Sequence, residues 1–278
     1  MKIRTVLCAS MVPLALWAGS VTAQDYPTKQ ISLAIPFAAG GPTDTLGRNL
    51  AVVMSQQLKQ QVIVENVPGA GGTIASNRVA KAKPDGYSLL LHHIGMSTAP
   101  ALYRKLTFNP LTDYEYIGQV ADVPMTVIAK TGLPPDNLAE LIAYVKKNKE
   151  KLNLGNAGLG AASHLCGLLF MSRIEADITT IPYNGTAPAM TALMGGQIDL
   201  MCDQTTNTTG QIEAKSIKAF AVTTAKRLAI PSLKDLPTLD ESGFKGFEVT
   251  IWHGLYAPKG TPPDVLAKIN TEIGRAHV

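Results

Sequence analysis

Four short loops carry the residue types that could do chemistry: PFAAGGPTD (36–44), NVPGAGGTIAS (66–76), GNAGLGAASH (155–164) and PYNGTAP (182–188). Each stands where an apolar run hands over to a helical pattern. Glycine lets the backbone come close to a ligand, and the open amides of a helix start attract an anion. Such a terminus contributes about 0.3–1 kcal/mol when exposed and up to about 2 when partly buried. Two loops facing each other would supply a useful share of the roughly 8 kcal/mol behind micromolar binding. The chemistry expected is capture of a small anion rather than covalent turnover.

Constellations for other chemistry fail on spacing. GLGAAS (158–163) follows a strand and approaches a dinucleotide fingerprint, which needs an acid about 20 positions on. There the chain has Ile181, Pro182, Tyr183 and Asn184, and Asp177 precedes the strand. No G-K-[ST] phosphate loop and no G-x-S-x-G elbow is present. His92, His93, His164, His253 and His277 form no H-E-x-x-H or H-x-E pattern. His92 and His93 end a strand and point to opposite faces, so at most one faces a cleft and a metal pair is disfavoured. His164 falls in the first turn of a helix, where a neutral ring can orient its loop. Asp44 either caps its own helix or holds its loop so that amides face a ligand. Asp203 either accepts a ligand amine or hydroxyl or caps the next helix. No catalytic residue, cofactor or metal is expected.

The elements that must position these loops alternate almost throughout. Strands are predicted at 31–36, 61–65, 87–92, 115–121, 124–130, 152–156, 178–182, 197–202, 217–223 and 248–257. Helices are predicted at 43–58, 72–81, 136–149, 163–174, 186–195, 205–213 and 262–273. This alternation implies α/β architecture with mostly parallel strands between helices. Pro42 suits the first turn of the first helix, and Leu46, Leu50, Val53 and Met54 share one face. Asp136 or Asn137 can cap the helix after Pro134-Pro135. Two extended runs, 118–130 and about 244–258, look like crossings between two domains; one continuous sheet is the alternative.

The ends carry separate signals. Lys2 and Arg4, the apolar run Val6 to Trp17 and the small residues Val21-Thr22-Ala23 read as a signal peptide over 1–23. The run is too short to span a bilayer as a helix, which takes about 20 residues. Export to the periplasm is expected, leaving roughly 255 residues. The formal net charge of +4 falls to about +2 without Lys2 and Arg4, and no basic stripe points to nucleic acid. Cys166 and Cys202 remain; an oxidising compartment permits their pairing, but both lie in apolar runs and read preferentially as buried free thiols. EIGRAHV stops inside an amphipathic pattern, and we read Gly274 to Val278, with Glu272-Ile273 in question, as non-native sequence resembling a translated adapter.

In order, YPTKQISLAIPFAAGGPTD, VIVENVPGAGGTIAS, KPDGYSLLL, PALYRKLTFNPLTDY, GLGAASHL, PYNGTAPAMTALMGGQIDLMCD and GFEVTIWHGLYAPKGTPPDVLAKIN resemble the tripartite tricarboxylate transporter receptors, or Bug extracytoplasmic solute receptors. The resemblance covers essentially the whole chain after residue 23. It implies a type II-like periplasmic binding protein with two α/β domains and two hinge crossings: 24–122 with 247–278, and 123–246. It implies a small organic carboxylate delivered by a monomer to a membrane transporter. An imidazole at 92–93 is compatible with an aromatic dicarboxylate such as terephthalate or equally with a C4–C6 aliphatic one. Matched by motif, the implied ligand-binding residues are Phe37, Ala39, Gly40, Thr43 and Asp44, then Gly158, Gly160, Ser163 and His164, then Tyr183, Asn184, Gly185, Thr186 and Asp203. HHIGMS (92–97) departs from the usual small polar residues, which makes His92, His93 and Ser97 candidates for selectivity. An exported hydrolase or dehydrogenase acting on a small acid is the competing reading.

Overall fold

The computed structural model describes residues 26–276; the signal-peptide reading and His277 lie outside these residues. Nine strands form a sheet in the order β2 (Val62–Asn66), β1 (Ile31–Ile35), β3 (Ser88–His93), β9 (Thr250–Pro258), β4 (Tyr114–Lys130), β7 (Leu200–Gln204), β5 (Asn153–Asn156), β6 (Thr179–Pro182), with β8 (Ile217–Val222) also on β4. Pairings β1–β2, β1–β3, β5–β6 and β5–β7 are parallel, whereas β4 and β9 run antiparallel to their neighbours.

Where the sequence predicts two strands around Pro124, the structure has one of 17 residues. Residues 114–124 of β4 pair with β9, and residues 125–130 pair with β7 and β8. Pro124 stands where β4 changes partners, a place where a missing N–H interrupts the ladder least. The return crossing runs beside it: Thr223 Oγ1 donates to the Val249 carbonyl at 2.5 Å, and Thr250 Oγ1 donates to Asp122 at 2.9 Å.

Helices cover both faces of each half. Over β1–β3, helices α1 (Pro42–Leu58) and α8 (Pro263–Ala276) enclose a core with Ile31, Leu33, Met54, Leu91, Ile269 and Ile273. Helices α2 (Thr73–Ala80) and α3 (Gly95–Leu102) cover the opposite face through Val79, Leu90, Met96 and Tyr114. In the other half, α4 (Leu138–Asn148) and α5 (Ala162–Ile174) enclose Val127, Leu141, Leu154 and Phe170. Helices α6 (Thr186–Met194) and α7 (Thr205–Glu213) stand at the ends of β6 and β7.

Two further expectations change. Helix α3 has no counterpart in the sequence reading, because GMSTAPAL begins with glycine and carries Pro100 inside the helix. Cys166 and Cys202 are disulfide-bonded, with Cα atoms 5.9 Å apart, rather than free. Position 166 of α5 packs directly over position 202 of β7, so the two apolar runs meet at one point.

Candidate functional site

Four helices begin at one cleft between the halves of the sheet. Its lining comprises Gly41, Pro42 and Thr43 at the start of α1, Ala162 and Ser163 at the start of α5, Thr186 at the start of α6 and Gln204 before α7, with Phe37, His93 and Ala157. None of these helices carries a side-chain hydrogen bond at its N-cap. Their first amides have no acceptor one turn back, because an α-helix leaves those groups unpaired. Their positive ends therefore converge on a space that, among the described residues, no charged side chain lines.

The α1 loop is built rigidly from one side. Phe37 stacks on His93, with ring centroids 4.7 Å apart. Asp44 accepts from Gly40 N at 2.8 Å, Arg48 Nε at 2.9 Å and Asn66 Nδ2 at 2.9 Å. Burial alone would raise its pKa, but the bonds from Arg48, Gly40 and Asn66 hold it below the usual carboxylate value. Asp44 therefore holds its loop, the second of the two roles expected for it.

Beneath the loop lie three buried histidines. His93 Nδ1 accepts from Gly95 N at 3.0 Å, and His92 Nδ1 accepts from His93 N at 2.8 Å. His253 Nδ1 lies 3.2 Å from the Ile251 carbonyl, an acceptor, so this nitrogen carries the proton. Nε2 of His253 then accepts from the Thr43 hydroxyl at 3.3 Å. Burial keeps all three rings neutral, pushing His92 down to about 3, His253 to about 4 and His93 well below its ordinary value.

On the other side, Asp203 is wholly buried on β7. It accepts from Gln204 N at 2.8 Å and from Asn207 Nδ2 at 2.5 Å, with a further bond from the Thr186 hydroxyl. Burial raises its pKa to about 7 against these bonds. The α5 loop is tied internally: Ser163 Oγ accepts from Ala157 N at 2.8 Å and His164 Nδ1 from Gly160 N at 3.2 Å.

The two sides touch. Ala38 N donates to the Asn184 carbonyl at 2.9 Å, Tyr103 OH to Leu159 O at 2.8 Å and Thr98 Oγ1 to Gly160 O at 3.1 Å. Gly71 has φ of +60°, and a Cβ there would lie 2.2 Å from Leu159 O. This glycine is needed for close approach. The cavity left inside is about 10 Å³, roughly room for one water. A larger solute needs the cleft to widen.

Of the residues expected from sequence, Phe37, Thr43, Ser163 and Thr186 meet at the cavity. Gly40, Gly158 and Gly160 serve the loops instead: their amides donate to Asp44, Asn156 and His164. Ala39 is exposed, and Asn184 and Gly185 supply the bridge to Ala38. Tyr183 packs against the α6 core. Ser97 is exposed on α3 and donates to Ile94 O. His93, not His92, forms the wall; Nε2 of His92 faces Gly72 on the other side of the sheet. Strand parity carried that signal, since His93 shares its face with Leu89 and Leu91 beneath α1. Gln204 was missed, although it directly follows IDLMCD at the handover from strand to helix.

Comparison with known proteins agrees with this architecture. The profile of the tripartite tricarboxylate transporter family receptor matches residues 46–277. A UPF0065 protein of Agrobacterium vitis is 47% identical over 275 residues, covering 99% of this chain and 78% of that protein. BugT of Bordetella pertussis is 33% identical over 265 residues, covering 93% and 79%. Among solved structures, the periplasmic binding protein BugD is 56% identical with a TM-score of 0.88, covering 90% of this chain and 83% of that one. MatC of Rhodopseudomonas palustris with bound malate is 38% identical, TM-score 0.86, covering 90% and 85%. A further protein from R. palustris with adipate is 36% identical, TM-score 0.86, covering 90% and 83%. With four uncapped helix starts around one cleft and this match along most of its length, the chain belongs to the tripartite tricarboxylate transporter receptor family.

Proposed function

We propose that the protein is a periplasmic receptor that closes around a small organic carboxylate and presents it to a tripartite membrane transporter. The observation that carries this reading is the convergence of four helix starts on a cleft whose lining has no charged side chain. A carboxylate placed there gains the attraction of open amides without a competing acid. The family consists of solute receptors, and the chain is a receptor rather than an enzyme. The malate and adipate bound by related proteins support a dicarboxylate; a longer or aromatic acid such as terephthalate needs more widening. The two crossings, β4 at residues 122–126 and the segment before β9, are the proposed hinge between residues 24–122 with 247–278 and residues 123–246.

The test is calorimetry and thermal unfolding with a panel of mono-, di- and aromatic carboxylates. A ligand present at 100 times its Kd stabilises the native state by about 2.7 kcal/mol. A rise in Tm with measurable heat for at least one acid is expected. No shift and no heat across the panel would overturn the reading.

A further inference from the structure

We propose that the cleft selects carboxylates that also carry a hydrogen-bond donor, and that the side-chain carbonyl of Gln204 reads that donor. The inference rests on the carboxylate reading above and narrows it. Gln204 is 3% exposed, lines the cavity and stands at the N-cap of α7. Its Oε1 is buried without a hydrogen-bond partner. Buried polar atoms in folded proteins are almost always paired, so an orphaned acceptor on a cavity wall marks where a bound molecule must donate. A plain dicarboxylate offers only acceptors and leaves Oε1 unpaired.

A neighbouring group points the same way. The Thr43 hydroxyl gives its proton to His253 Nε2, so its oxygen keeps only lone pairs for the cavity. Asp203 cannot serve in place of Gln204: its oxygens already accept from Gln204 N, Asn207 and Thr186. The cleft thus has helix amides for an anion and a separate acceptor surface for an O–H or N–H. A hydroxyl satisfies that surface at least cost. An ammonium would enter among four positive helix ends with no acid on the wall to offset it.

Succinate, malate and aspartate share a four-carbon skeleton and differ by one substituent, so they form the test set for calorimetry on the full chain at constant pH. Malate is expected to bind at least about tenfold more tightly than succinate, the effect of leaving a buried acceptor unpaired. Binding of malate alone assigns a hydroxyl; binding of malate and aspartate above succinate assigns a donor of either kind. Gln204→Met removes the acceptor at similar volume and brings the malate-to-succinate ratio toward one. If Gln204→Met does not fold, Gln204→Glu keeps an acceptor, so the preference persists while both affinities fall. Succinate binding as tightly as malate and aspartate, or a ratio unchanged in Gln204→Met, overturns the proposal and leaves the carboxylate reading standing. Silence across the whole carboxylate panel removes both.

Discussion

Helix α4 and the cleft helices solve the same problem in opposite ways. At α4, Asn137 accepts from Glu140 N at 2.9 Å, and Glu140 reaches back to Asp136 N at 3.0 Å. That reciprocal box satisfies the start of the helix from within the sequence. Helices α1, α5, α6 and α7 have Gly41, Ala161, Gly185 and Gln204 at the cap and no side-chain bond there. Their neighbouring loops are nevertheless thoroughly bonded, through Asp44, Ser163 and His164. Helices α2 and α3 also start without a side-chain cap, so the difference teaches that what sets the cleft helices apart is the meeting of their open ends at one space. Rigid loops hold open donors in place, so little ordering remains to be done when a solute arrives.

Giving a cleft helix a cap of its own would break the contrast most severely. Gly41 has φ of −86° and ψ of 174°, which any residue adopts. A Cβ there would meet nothing closer than 3.5 Å. In Gly41→Asp the new carboxylate caps α1 and occupies the anion position. Affinity for any carboxylate should fall at least about 100-fold by calorimetry, the scale of like charges brought together.

Next in size is the closing contact. In Gly71→Ala the added methyl meets Leu159 O across the cleft and Tyr103 OH on its own side. Overpacking of this kind costs about 1–3 kcal/mol, a loss of roughly 5- to 150-fold in affinity. The Tm without ligand should also drop, because a side chain at φ +60° is strained in every state; a drop in Tm with affinity unchanged would show that Gly71 serves the fold alone.

Acidification separates the cleft floor from the rest. The unfolded chain protonates histidine near pH 6.5, whereas folded His92 and His253 titrate near 3 and 4 and His93 also lies low, chiefly through burial. The unfolded state thus holds more protons between about pH 6.5 and 4, and stability falls as pH drops through that window. Asp203 acts in the opposite sense. Its raised pKa of about 7 gives stability fully present below about pH 4 and lost as pH rises through 7. Three rings outweigh one carboxyl, so Tm should decline on acidification. Asp203→Asn should make that decline steeper, and a flat profile between pH 6.5 and 4.5 would sink the assignment.

The smallest effect is at the capped helix. Asn137→Ala should cost about 1 kcal/mol, or roughly 2–4 °C in Tm. Ligand affinity should stay unchanged, because α4 starts away from the cavity.

Much of this was legible before the structure. The order of strands and helices followed from apolar runs and their glycine or proline ends, because those signals are local. Phe37, Thr43, Ser163 and Thr186 were expected at the cleft because each lies in a loop whose composition already marks it, and the fold brings the four to one cavity. Helix α3 was hidden by Gly95 and Pro100, whose propensities argue against a helix that packing nonetheless stabilises. The Cys166–Cys202 bond was hidden because 36 residues separate its ends and only the packing of α5 on β7 brings them together.

By itself, the amino-acid sequence determined the α/β alternation, the four anion-friendly loops and the family pattern, since each depends on residues close along the chain. Which amides stay open, which histidine forms the wall and which acceptor is left unpaired were decided only by tertiary structure. Those properties depend on what the opposite half of the sheet places within hydrogen-bonding distance, and that distance is set by β4 and β9 spanning both halves.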